Sequence, residues 1–428
     1  MHRHHLLSLT IFIFVLSNLQ LQGQRRTYSP ASRFGLGEIS TNATGQANGM
    51  GQTGIGISSS KYLNKLNPAS YSAMDSLSFY FDAGLNGFSQ KISDPLASSN
   101  FSNFVFDYFA IGFPISKNVA TSIGISAFSK AGYNLQQTNV DPDHGSSSSQ
   151  FNGSGNVSSV YWGLGVKPFK NASAGVHVSY LFGNLKHVSY IEYPDDLGAL
   201  RYGRLSEMRV NDIYIDFGAQ YNIDLDNGKR LILGATFAPK QNMHNKYSTF
   251  TAQGVNVNTD NDIIMTGDTI EYIPLGSKSF DMPLSYGLGV SYQIDDKLIV
   301  AADYKFEGWS KTRFPDAYTQ TNDMTRYSAG AEFIPNDRNN RNYLLRIRYR
   351  AGAYYKNDYL KIMGNPTNEF GINFGLGLPL KRTRSSVNLG CDIGQKGNVD
   401  DNGYKEDYVR FTLSFTMHEY WFVKQKFD

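Results

Sequence analysis

Regular alternation of apolar with small or polar side chains is the feature that most constrains the fold of this chain. In residues 370–378, FGINFGLGL, every second side chain is Phe, Ile or Leu, and those between are Gly or Asn. This period of two is typical of a β-strand with one apolar and one polar environment. Fourteen such stretches occur, at about residues 76–90, 103–115, 119–135, 155–168, 172–191, 207–223, 230–250, 280–294, 297–312, 325–334, 343–356, 369–380, 385–396 and 405–418.

The connections between these stretches favour a barrel. Those after even-numbered stretches are mostly short, such as 295–296, whereas those after odd-numbered stretches are mostly longer and polar, such as 136–154, 251–279 and 357–368. An even strand number with short turns at one end and long loops at the other is the organisation of an outer-membrane barrel. The sequence therefore predicts an all-β fold, a transmembrane antiparallel β-barrel of about 14 strands over residues 76–418.

A soluble β-sandwich, or two in tandem, is the alternative fold, because it would show the same alternation. Three observations count against it. Many stretches reach the roughly 9–11 residues that a strand needs to cross a bilayer. The chain has no linker, and aromatic residues such as Tyr221, Tyr292 and Trp309 lie near strand ends, where membrane barrels carry aromatic girdles. The membrane barrel is therefore favoured.

The N-terminus has the pattern of a secretory signal peptide. A basic segment, MHRHH, precedes an apolar run of 11 residues, LLSLTIFIFVL, and a polar stretch that ends in glycine. We predict a signal peptide at residues 1–23, a glycine-rich segment at 24–75 and, after the barrel, a periplasmic tail at 419–428. Export and the barrel together predict the outer membrane of a Gram-negative bacterium, with its lipid as one partner.

Charge and cysteine content exclude several classes of function. The chain has 40 basic and 37 acidic residues and no basic run that could follow a phosphate backbone, so no nucleic-acid partner is expected. The single cysteine, Cys391, excludes an internal disulfide framework and a multi-cysteine metal site. It shares the apolar parity of its stretch, and we expect it to face lipid. No cofactor is expected.

The stretch GMGQTG at residues 49–54 has the spacing of a dinucleotide-binding loop. Such a loop needs a strand before it and a helix after it, but the residues that follow, SSSKYLNKLNPAS, contain a proline and no apolar stripe. A fourteen-stranded barrel is too wide for its inward side chains to fill. We therefore expect residues 24–75 to lie in the lumen as a hatch, with Gly49, Gly51 and Gly54 where bulkier side chains would collide.

Charged side chains share the polar parity of the ninth and eleventh predicted strands. They are Asp303, Lys305, Glu307, Arg346, Arg348 and Arg350. Because an Arg or Lys facing lipid at mid-membrane costs about 2–4 kcal/mol, we expect these side chains to face the lumen. Two interpretations are open. The arginines could select an anionic solute, or they could pair with carboxylates of the hatch or of neighbouring strands, such as Asp216, Glu332 or Asp392, and pairing is favoured.

Candidate catalytic and metal-binding groups are few. His177 shares the inward parity with Ser179, and His418 ends the last predicted strand, but no third group at a supportive spacing stands out. The clusters at 258–262 and 398–403 offer oxygen ligands without the full set of a calcium loop, and such clusters are usual in turns. We expect neither an enzyme nor a metal site.

The chain resembles a known family. An exported chain with a glycine-rich N-terminal segment, the tripeptide NPA shortly before the first strand and fourteen alternating strands is similar to the FadL-like outer-membrane transporters of hydrophobic compounds. SRFGLGEIS, GMGQTGIGI, LNPASYSAMDSLSF and the ending HEYWFVKQKFD resemble uncharacterised FadL-like proteins of Bacteroidota. The resemblance implies that Asn67, Pro68 and Ala69 belong to a hatch. It also implies that ligands pass from an outer groove into the lumen, and can leave through the wall, without ATP.

Two functions remain open at this point. The first is passive uptake of small hydrophobic or amphipathic molecules, gated by the hatch. The loop 251–279 is polar and shows no amphipathic helix for an apolar capture groove, which argues against fatty acids as the ligand. The second is an envelope structural or secretion-system partner barrel without transport activity, which contacts other envelope proteins, as other members of the broader family do.

Overall fold

The computed structural model describes residues 27–41, 43–141, 145–196, 198–257, 263–264, 268–316, 319–337, 342–381 and 383–420. The predicted signal peptide, the cluster at 258–262 and residues 421–428 of the predicted tail lie outside the described residues. Within the described part of the chain, no helix combines the length and the apolar character needed to cross a membrane.

Strands dominate the described chain. They are β1 Glu38–Ile39, β2 Ser78–Ser93, β3 Ser98–Ser116, β4 Val119–Asp141, β5 Gly145–Val166, β6 Ala172–Glu192, β7 Tyr202–Asp224, β8 Lys229–Ala238, β9 Gln241–Gln253, β10 Asn256–Val257, β11 Ile263–Ile264, β12 Thr269–Met282, β13 Ser285–Ile294, β14 Leu298–Glu307, β15 Met324–Phe333, β16 Arg348–Ile362, β17 Asn365–Pro379, β18 Ser386–Lys396 and β19 Lys405–Tyr420. The helices are short: α-helices at Gly45–Asn48 and Val399–Asn402, and 3-10 helices at Pro30–Arg33, Pro68–Ala73, Trp309–Lys311 and Tyr343–Arg346.

The wall strands pair antiparallel and close on themselves. The last strand, β19, pairs with β2 along the full length of both, from Tyr420 opposite Ser78 to Lys405 opposite Ser93. Two of the spans each consist of two shorter strands. The first is β8 and β9, which both pair with β7, and the second is β12, which pairs with β9, and β13, which pairs with β8. Counting each such pair as one span gives fourteen. The prediction of an all-β, fourteen-stranded barrel is confirmed.

The two faces of the wall differ as the alternation predicts. On β17, Phe370, Ile372 and Phe374 expose 49 %, 51 % and 54 % of their surface, whereas Asn373 between them is fully buried. Exposed Phe and Ile at every second position of a long sheet fit a lipid environment, in which an apolar outer band is required. The buried face lines the lumen.

The strands run past their predicted bounds at one end of the barrel. We call this the distal end, where β2 turns into β3, and the opposite end, where β2 begins and β19 ends, the terminal end. The predicted long loops 136–154 and 357–368 are wrong, because strands fill most of each. In the predicted loop 251–279, β12 begins at Thr269 and pairs with β9. Beyond a bilayer both faces of a strand meet water, so alternation ends while backbone pairing continues.

Residues 27–75, which we call the inner segment, lie against the inner face of the wall. Near the distal end, Tyr28 stacks on Phe101 of β3 with ring centroids 4.5 Å apart. The helix Gly45–Asn48 packs on β17, β18 and β19, and the helix Pro68–Ala73 packs on β4 to β7. The chain then enters β2 at Ser78 at the terminal end. The segment thus runs from the distal to the terminal end before the barrel begins.

Candidate functional site

The predicted glycines lie where the inner segment is tightly packed. A Cβ added to Gly49 would lie 2.9 Å from backbone of β17, and one on Gly51, whose φ is +67°, would lie 2.6 Å from the carbonyl oxygen of Ala329. A Cβ on Gly54 would lie 2.7 Å from the side chain of Leu66 in the same segment. Separations this short do not occur between a Cβ and fixed backbone, so Gly49 and Gly51 allow contact with the wall, whereas the end of the Leu66 side chain can move away from a Cβ at position 54.

Asn67, Pro68 and Ala69 fix the terminal end of the inner segment. The buried Asn67 side chain accepts a hydrogen bond from the backbone N–H of Ala69 (3.1 Å) and caps the 3-10 helix. Its amide nitrogen donates to the carbonyls of Ile55 (2.9 Å) and of Ala219 in the wall (3.2 Å). Pro68 occupies the first helical position, where its missing N–H is not needed. The tripeptide therefore joins two parts of the segment to β7.

His177 also joins the inner segment to the wall. Its Nε2 lies 2.9 Å from the hydroxyl oxygen of the buried Tyr71, and its Nδ1 lies 3.1 Å from a carboxylate oxygen of Asp216. Asp216 lies opposite His177 in the pairing of β6 with β7, a proximity that spacing along the chain does not reveal. The three groups form a chain of hydrogen bonds, buried at Tyr71 and His177 and partly exposed at Asp216, that holds the helix Pro68–Ala73 in place.

The charges on β14 have two kinds of partner. The carboxylate of Asp303 accepts hydrogen bonds from the backbone N–H groups of Gly54 (2.6 Å) and Ile55 (2.8 Å). It therefore anchors the inner segment. Lys305 and Glu307 pair with each other, with 2.8 Å between nitrogen and oxygen, and both line a lumen cavity.

Arg350 is a buried link between the wall and the inner segment. Its guanidinium lies 2.6 Å from the carboxylate of Glu332 and donates to the hydroxyl of Tyr62 (2.9 Å) and the side chain of Asn388 (2.8 Å). The Arg348 guanidinium lies 5.1 Å from the centroid of the Tyr62 ring, within cation–π range. Because the Arg350 side chain is fully buried, pairing explains it better than solute selection.

Arg346 departs from the prediction. It ends the 3-10 helix Tyr343–Arg346, and β16 begins only at Arg348, so the prediction that Arg346 shares the inward parity of that strand is wrong. The side chain of Asn342 accepts a hydrogen bond from the backbone N–H of Leu344 and caps this helix. The cap stabilises a turn where the alternation alone predicts extended chain.

The oxygen-rich cluster at 398–403 is explained by local structure. The Asn398 side chain accepts a hydrogen bond from the backbone N–H of Asp400 and caps the helix Val399–Asn402, which Gly403 ends at φ +71°. Within the described ranges, His, Cys, Asp and Glu side chains do not gather in groups of three that could hold a metal ion.

The ladder between β3 and β4 is open over the distal half of the barrel. Pairing runs from the turn up to Tyr108 opposite Ser126 and ends there, although β3 continues along β2 and β4 continues along β5. Each strand carries a bulge next to this point, at Asp107 in β3 and at Phe128 in β4. Bulges bend a strand and end its pairing. We call this opening in the wall the seam.

The inner segment takes the place of β3 along the seam edge of β4. Glu38 and Ile39 pair with Lys130 and Ser129 in an antiparallel register. The backbone N–H of Ser40 donates to the carbonyl of Phe128 at 2.9 Å. Further along, the hydroxyl of Ser32 accepts from the N–H of Gly132 at 3.0 Å, and its single proton is shared between the carbonyls of Ser29 (2.7 Å) and Gly132 (3.0 Å). The exposed edge of the wall is therefore capped from inside.

The opposite side of the seam is joined by side chains. The ammonium of Lys130 on β4 lies 3.8 Å from the carboxylate of Asp107 on β3, so an ion pair bridges the opening. Tyr28 of the inner segment stacks on Phe101 of β3. The seam is closed by contacts that involve the inner segment and one ion pair, and a strand ladder is absent there among the described residues.

Two neighbouring cavities adjoin the inner segment, and Ile39, Ser40 and Thr41 line both. The larger, the inner cavity, has an empty volume of about 1330 Å³ including space open to solvent. The smaller, the seam cavity, has about 950 Å³ by the same measure. Residues from both edges of the seam line the latter: Asp107, Tyr108, Ser126, Ala127 and Lys130.

The seam is not evident from the sequence, although one signal of it is present. In β3, Phe104 and Phe106 face outward, whereas the outward parity on the other side of Asp107 includes Phe109. An apolar face that changes from even to odd positions within one strand indicates a bulge. The end of the pairing between β3 and β4 depends on where β4 runs relative to β3, and the alternation of apolar and polar residues within one strand does not reveal it.

Comparison with known proteins identifies the family. A model of the family described as BamG matches residues 5–428. The chain belongs to the BamG family. In a search of curated proteins, nothing matched this BamG-family chain.

Solved structures similar to this BamG-family chain share its fold. The toluene transporter TodX of Pseudomonas putida aligns with a TM-score of 0.57 and 17 % identity, covering 90 % of this chain and 98 % of its own. The toluene transporter TbuX of Ralstonia pickettii gives 0.56 and 16 %, covering 88 % and 99 %. A FadL homologue of Pseudomonas aeruginosa gives 0.55 and 13 %, covering 89 % and 99 %. The resemblance to FadL-like barrels is confirmed for the fold, and a Bacteroidota origin stays a prediction.

Proposed function

We propose that the protein is an outer-membrane channel for passive passage of small hydrophobic or amphipathic molecules, with the inner segment as its hatch. The observation that carries this proposal is the seam. A wall closed by its own ladder opens only if hydrogen bonds between two wall strands break. Here β4 lacks that ladder beyond Ser126, and residues 27–40 supply its partner. Withdrawal of those residues would connect the lumen to the outer face of the barrel.

The lining of the inner cavity supports an amphipathic cargo. Apolar and charged side chains share it. The apolar ones include Ile39, Leu66, Phe128, Leu181, Met282 and Trp309, and the charged ones include Lys65, Asp216, Asp303, Lys305 and Glu307. Ligand sites are typically apolar with a few well-placed polar groups. A molecule with an apolar body and a polar group could contact both parts of this lining.

The similar structures support the proposal at a coarse level. TodX and TbuX are described as toluene transporters, and CymD, with a TM-score of 0.56 and 14 % identity, as a monoaromatic hydrocarbon channel. The same comparison and the apolar outer face of the wall support an outer-membrane location for this chain. A small aromatic hydrocarbon is therefore a sensible first probe of transport.

A disulfide across the seam tests the hatch. Ile39 and Ser129 are directly opposite in the register of β1 with β4, a placement that suits the short Cα separation of a disulfide. In a Cys391→Ser background, Ile39→Cys with Ser129→Cys should form this bond under oxidation. Because it prevents residues 27–40 from withdrawing, we expect uptake of radiolabelled toluene by cells to fall about tenfold on oxidation and to recover on reduction.

The matched control places a disulfide within the wall. Ala331 and Ala351 are opposite in the pairing of β15 with β16, so Ala331→Cys with Ala351→Cys should leave uptake unchanged under oxidation. Equal uptake by the oxidised and reduced seam variant would contradict gating by the inner segment.

A partner barrel without transport activity is the second candidate, and one observation favours it. The distal part of β12 exposes two apolar side chains, Ile270 at 54 % and Tyr272 at 62 %. Apolar groups exposed to water often mark a contact surface for another protein. This candidate predicts that the oxidised seam variant keeps its cellular role while wild-type uptake of toluene is no greater than that of cells without the barrel.

A further inference from the structure

The seam cavity has a polar wall built from four neighbouring strands. Asn373 of β17 lies opposite Asp392 of β18, Asp392 lies opposite Arg410 of β19, and Thr412 of β19 lies opposite Asn86 of β2. All five side chains line the cavity. They are presented by paired strands rather than by loops, so their spacing is fixed by the ladder.

Several polar atoms of this wall are buried without a hydrogen-bond partner. Both side-chain amide atoms of Asn373, which is 0 % exposed, are unpartnered, as are Oδ1 of Asn86 at 8 % and Oδ1 of Asp392 at 5 %. Buried polar groups are nearly always hydrogen-bonded, and each that is not calls for an explanation. Three such residues on one cavity wall indicate a site whose partner comes from outside the chain.

The charged groups that line the cavity have partners within the protein, although not every partner carries the opposite charge: Lys65 donates to the hydroxyl of Ser126 at 2.5 Å and lies 4.4 Å from the Tyr161 ring centroid. The carboxylate of Asp392 lies 3.1 Å from the guanidinium of Arg410. Lys356 lies 3.5 Å from Glu369, and the ion pair between Lys130 and Asp107 closes the outer side. Arg326, which also lines the cavity, donates to the carbonyl of Gly51 and stacks on the Tyr354 ring. The wall therefore keeps polar atoms without a hydrogen-bond partner, whereas the ionic groups around it already have partners within the protein.

A hydroxyl group fits this remaining capacity because it both donates and accepts. It could donate to Oδ1 of Asn86 or of Asp392 and accept from the amide nitrogen of Asn373. Several adjacent hydroxyl groups would satisfy the wall at once. An anion would instead face the unpartnered oxygens of Asn86 and Asp392, and a hydrocarbon would leave all these atoms unpaired.

We propose that the seam cavity binds a neutral, hydroxyl-rich group such as a sugar ring. The inference rests on the proposed function, because it takes the seam as the path by which the ligand arrives. Outside the seam, Phe104 and Phe106 of β3 are exposed at 53 % and 47 %. This apolar surface beside the opening suits the tail of a glycolipid whose sugar lies in the cavity. A free sugar offers the same hydroxyl chemistry without the tail.

Calorimetric titration of the full-length barrel in lipid nanodiscs tests the proposal. The probes are octyl glucoside below its micellar concentration, glucose, and octyl sulfate as the charged molecule of equal chain length. We expect octyl glucoside to bind and octyl sulfate not to compete with it. Binding of glucose as well would assign the site to free sugars, and binding of octyl glucoside alone would assign it to glycolipids. Equal binding of octyl sulfate, or binding of neither sugar probe, would overturn the proposal.

Asn373→Leu should weaken octyl glucoside binding about tenfold, because it replaces both amide atoms with apolar carbon. The matched control is Asn152→Leu, which removes another buried and unpartnered amide, on β5 and outside the cavity lining. Heat-modifiable electrophoretic mobility checks that both variants fold. If Asn373→Leu does not fold, Asn86→Ser repeats the binding test with a smaller change in the side chain. Binding by folded Asn373→Leu equal to that of wild type would place the sugar elsewhere and overturn the proposal.

The two proposals fail in different ways. If the oxidised seam disulfide stops toluene uptake but octyl glucoside does not bind, the sugar site is wrong and the hatch stands. If octyl glucoside binds in an Asn373-dependent manner to the oxidised and reduced forms at equal rates, the ligand does not arrive through the seam. That result would overturn the path that both proposals share, whatever the affinity.

Discussion

At the scale of single residues, the interior of this barrel is organised by groups that tie the inner segment to the wall. Asp303, His177 and Arg350 each make hydrogen bonds or close polar contacts across that boundary. Each was recognisable in the sequence as an inward-facing polar residue. Its partner in the inner segment was not, because that partner lies more than 100 positions away in the chain.

Replacing Arg350 should destabilise the barrel strongly. Arg350→Leu leaves the carboxylate of Glu332 buried without its cation, and removal of one partner of a buried ion pair costs about 3–5 kcal/mol. We expect a lower midpoint in urea unfolding from lipid bilayers. Arg346→Leu is the matched control, since that arginine lies at the end of a partly exposed helix and should change stability by about 0.5 kcal/mol at most. An equal loss in both variants would show that the pairing of Arg350 contributes little.

At the scale of elements, the parity of the strands was predictable and their ends were not. The apolar face of β17, with Phe370, Ile372 and Phe374, could be predicted from the sequence, because lipid on one side of the wall requires an apolar side chain at every second position. The distal parts of β4 and β5 lack that constraint, since water meets both faces. Residues 136–154 therefore read as a loop, while their backbones pair from Asp141 opposite Gly145 onward.

The seam shows a second limit on prediction. Strand pairing is a property of two segments, and the phase change around Asp107 indicates a bulge without indicating which neighbour is lost. The capping of β4 by Glu38 and Ile39 depends on a two-residue strand in a glycine-rich segment, and two residues carry no measurable alternation. Sequence patterning could therefore predict that the glycine-rich segment lies in the lumen, but not that it lies along the seam.

Ser32 gives a test of the capped edge at this scale. Because its hydroxyl bonds both the N–H and the carbonyl of Gly132, Ser32→Ala should raise hydrogen exchange in a peptide spanning residues 129–133 by about tenfold, the effect of losing roughly 1.4 kcal/mol of local protection. Residues 122–126, which pair with β3, should be unchanged. The control variant is Ser72→Ala, whose hydroxyl bonds only Ala69 among the contacts described. Unchanged exchange at 129–133 would mean that the edge of β4 is protected without the inner segment.

At the scale of the whole molecule, the wall and the inner segment have separable roles. The wall closes through strand pairing that includes the full ladder between β19 and β2, and among its described residues the inner segment pairs as a strand with the wall only through the two-residue β1. A fourteen-stranded wall lies between filled eight-stranded barrels and water-filled barrels of sixteen to eighteen strands. We therefore expect the inner segment to decide whether the lumen is occupied or open.

Deletion of residues 27–70 should open the lumen without unfolding the wall. Charges such as Asp303 and Arg350 would lose their partners in the inner segment, but water entering the lumen would solvate them, so the penalty of an unpaired charge in a dry interior does not apply. We expect unchanged strand content by circular dichroism, retained heat-modifiable mobility, and a single-channel conductance in planar bilayers well above that of the intact protein. The intact protein with its seam disulfide oxidised is the closed control. If the deleted barrel folds yet conducts no more than this control, the wall itself closes the lumen, and the hatch is not what separates the two sides of the membrane.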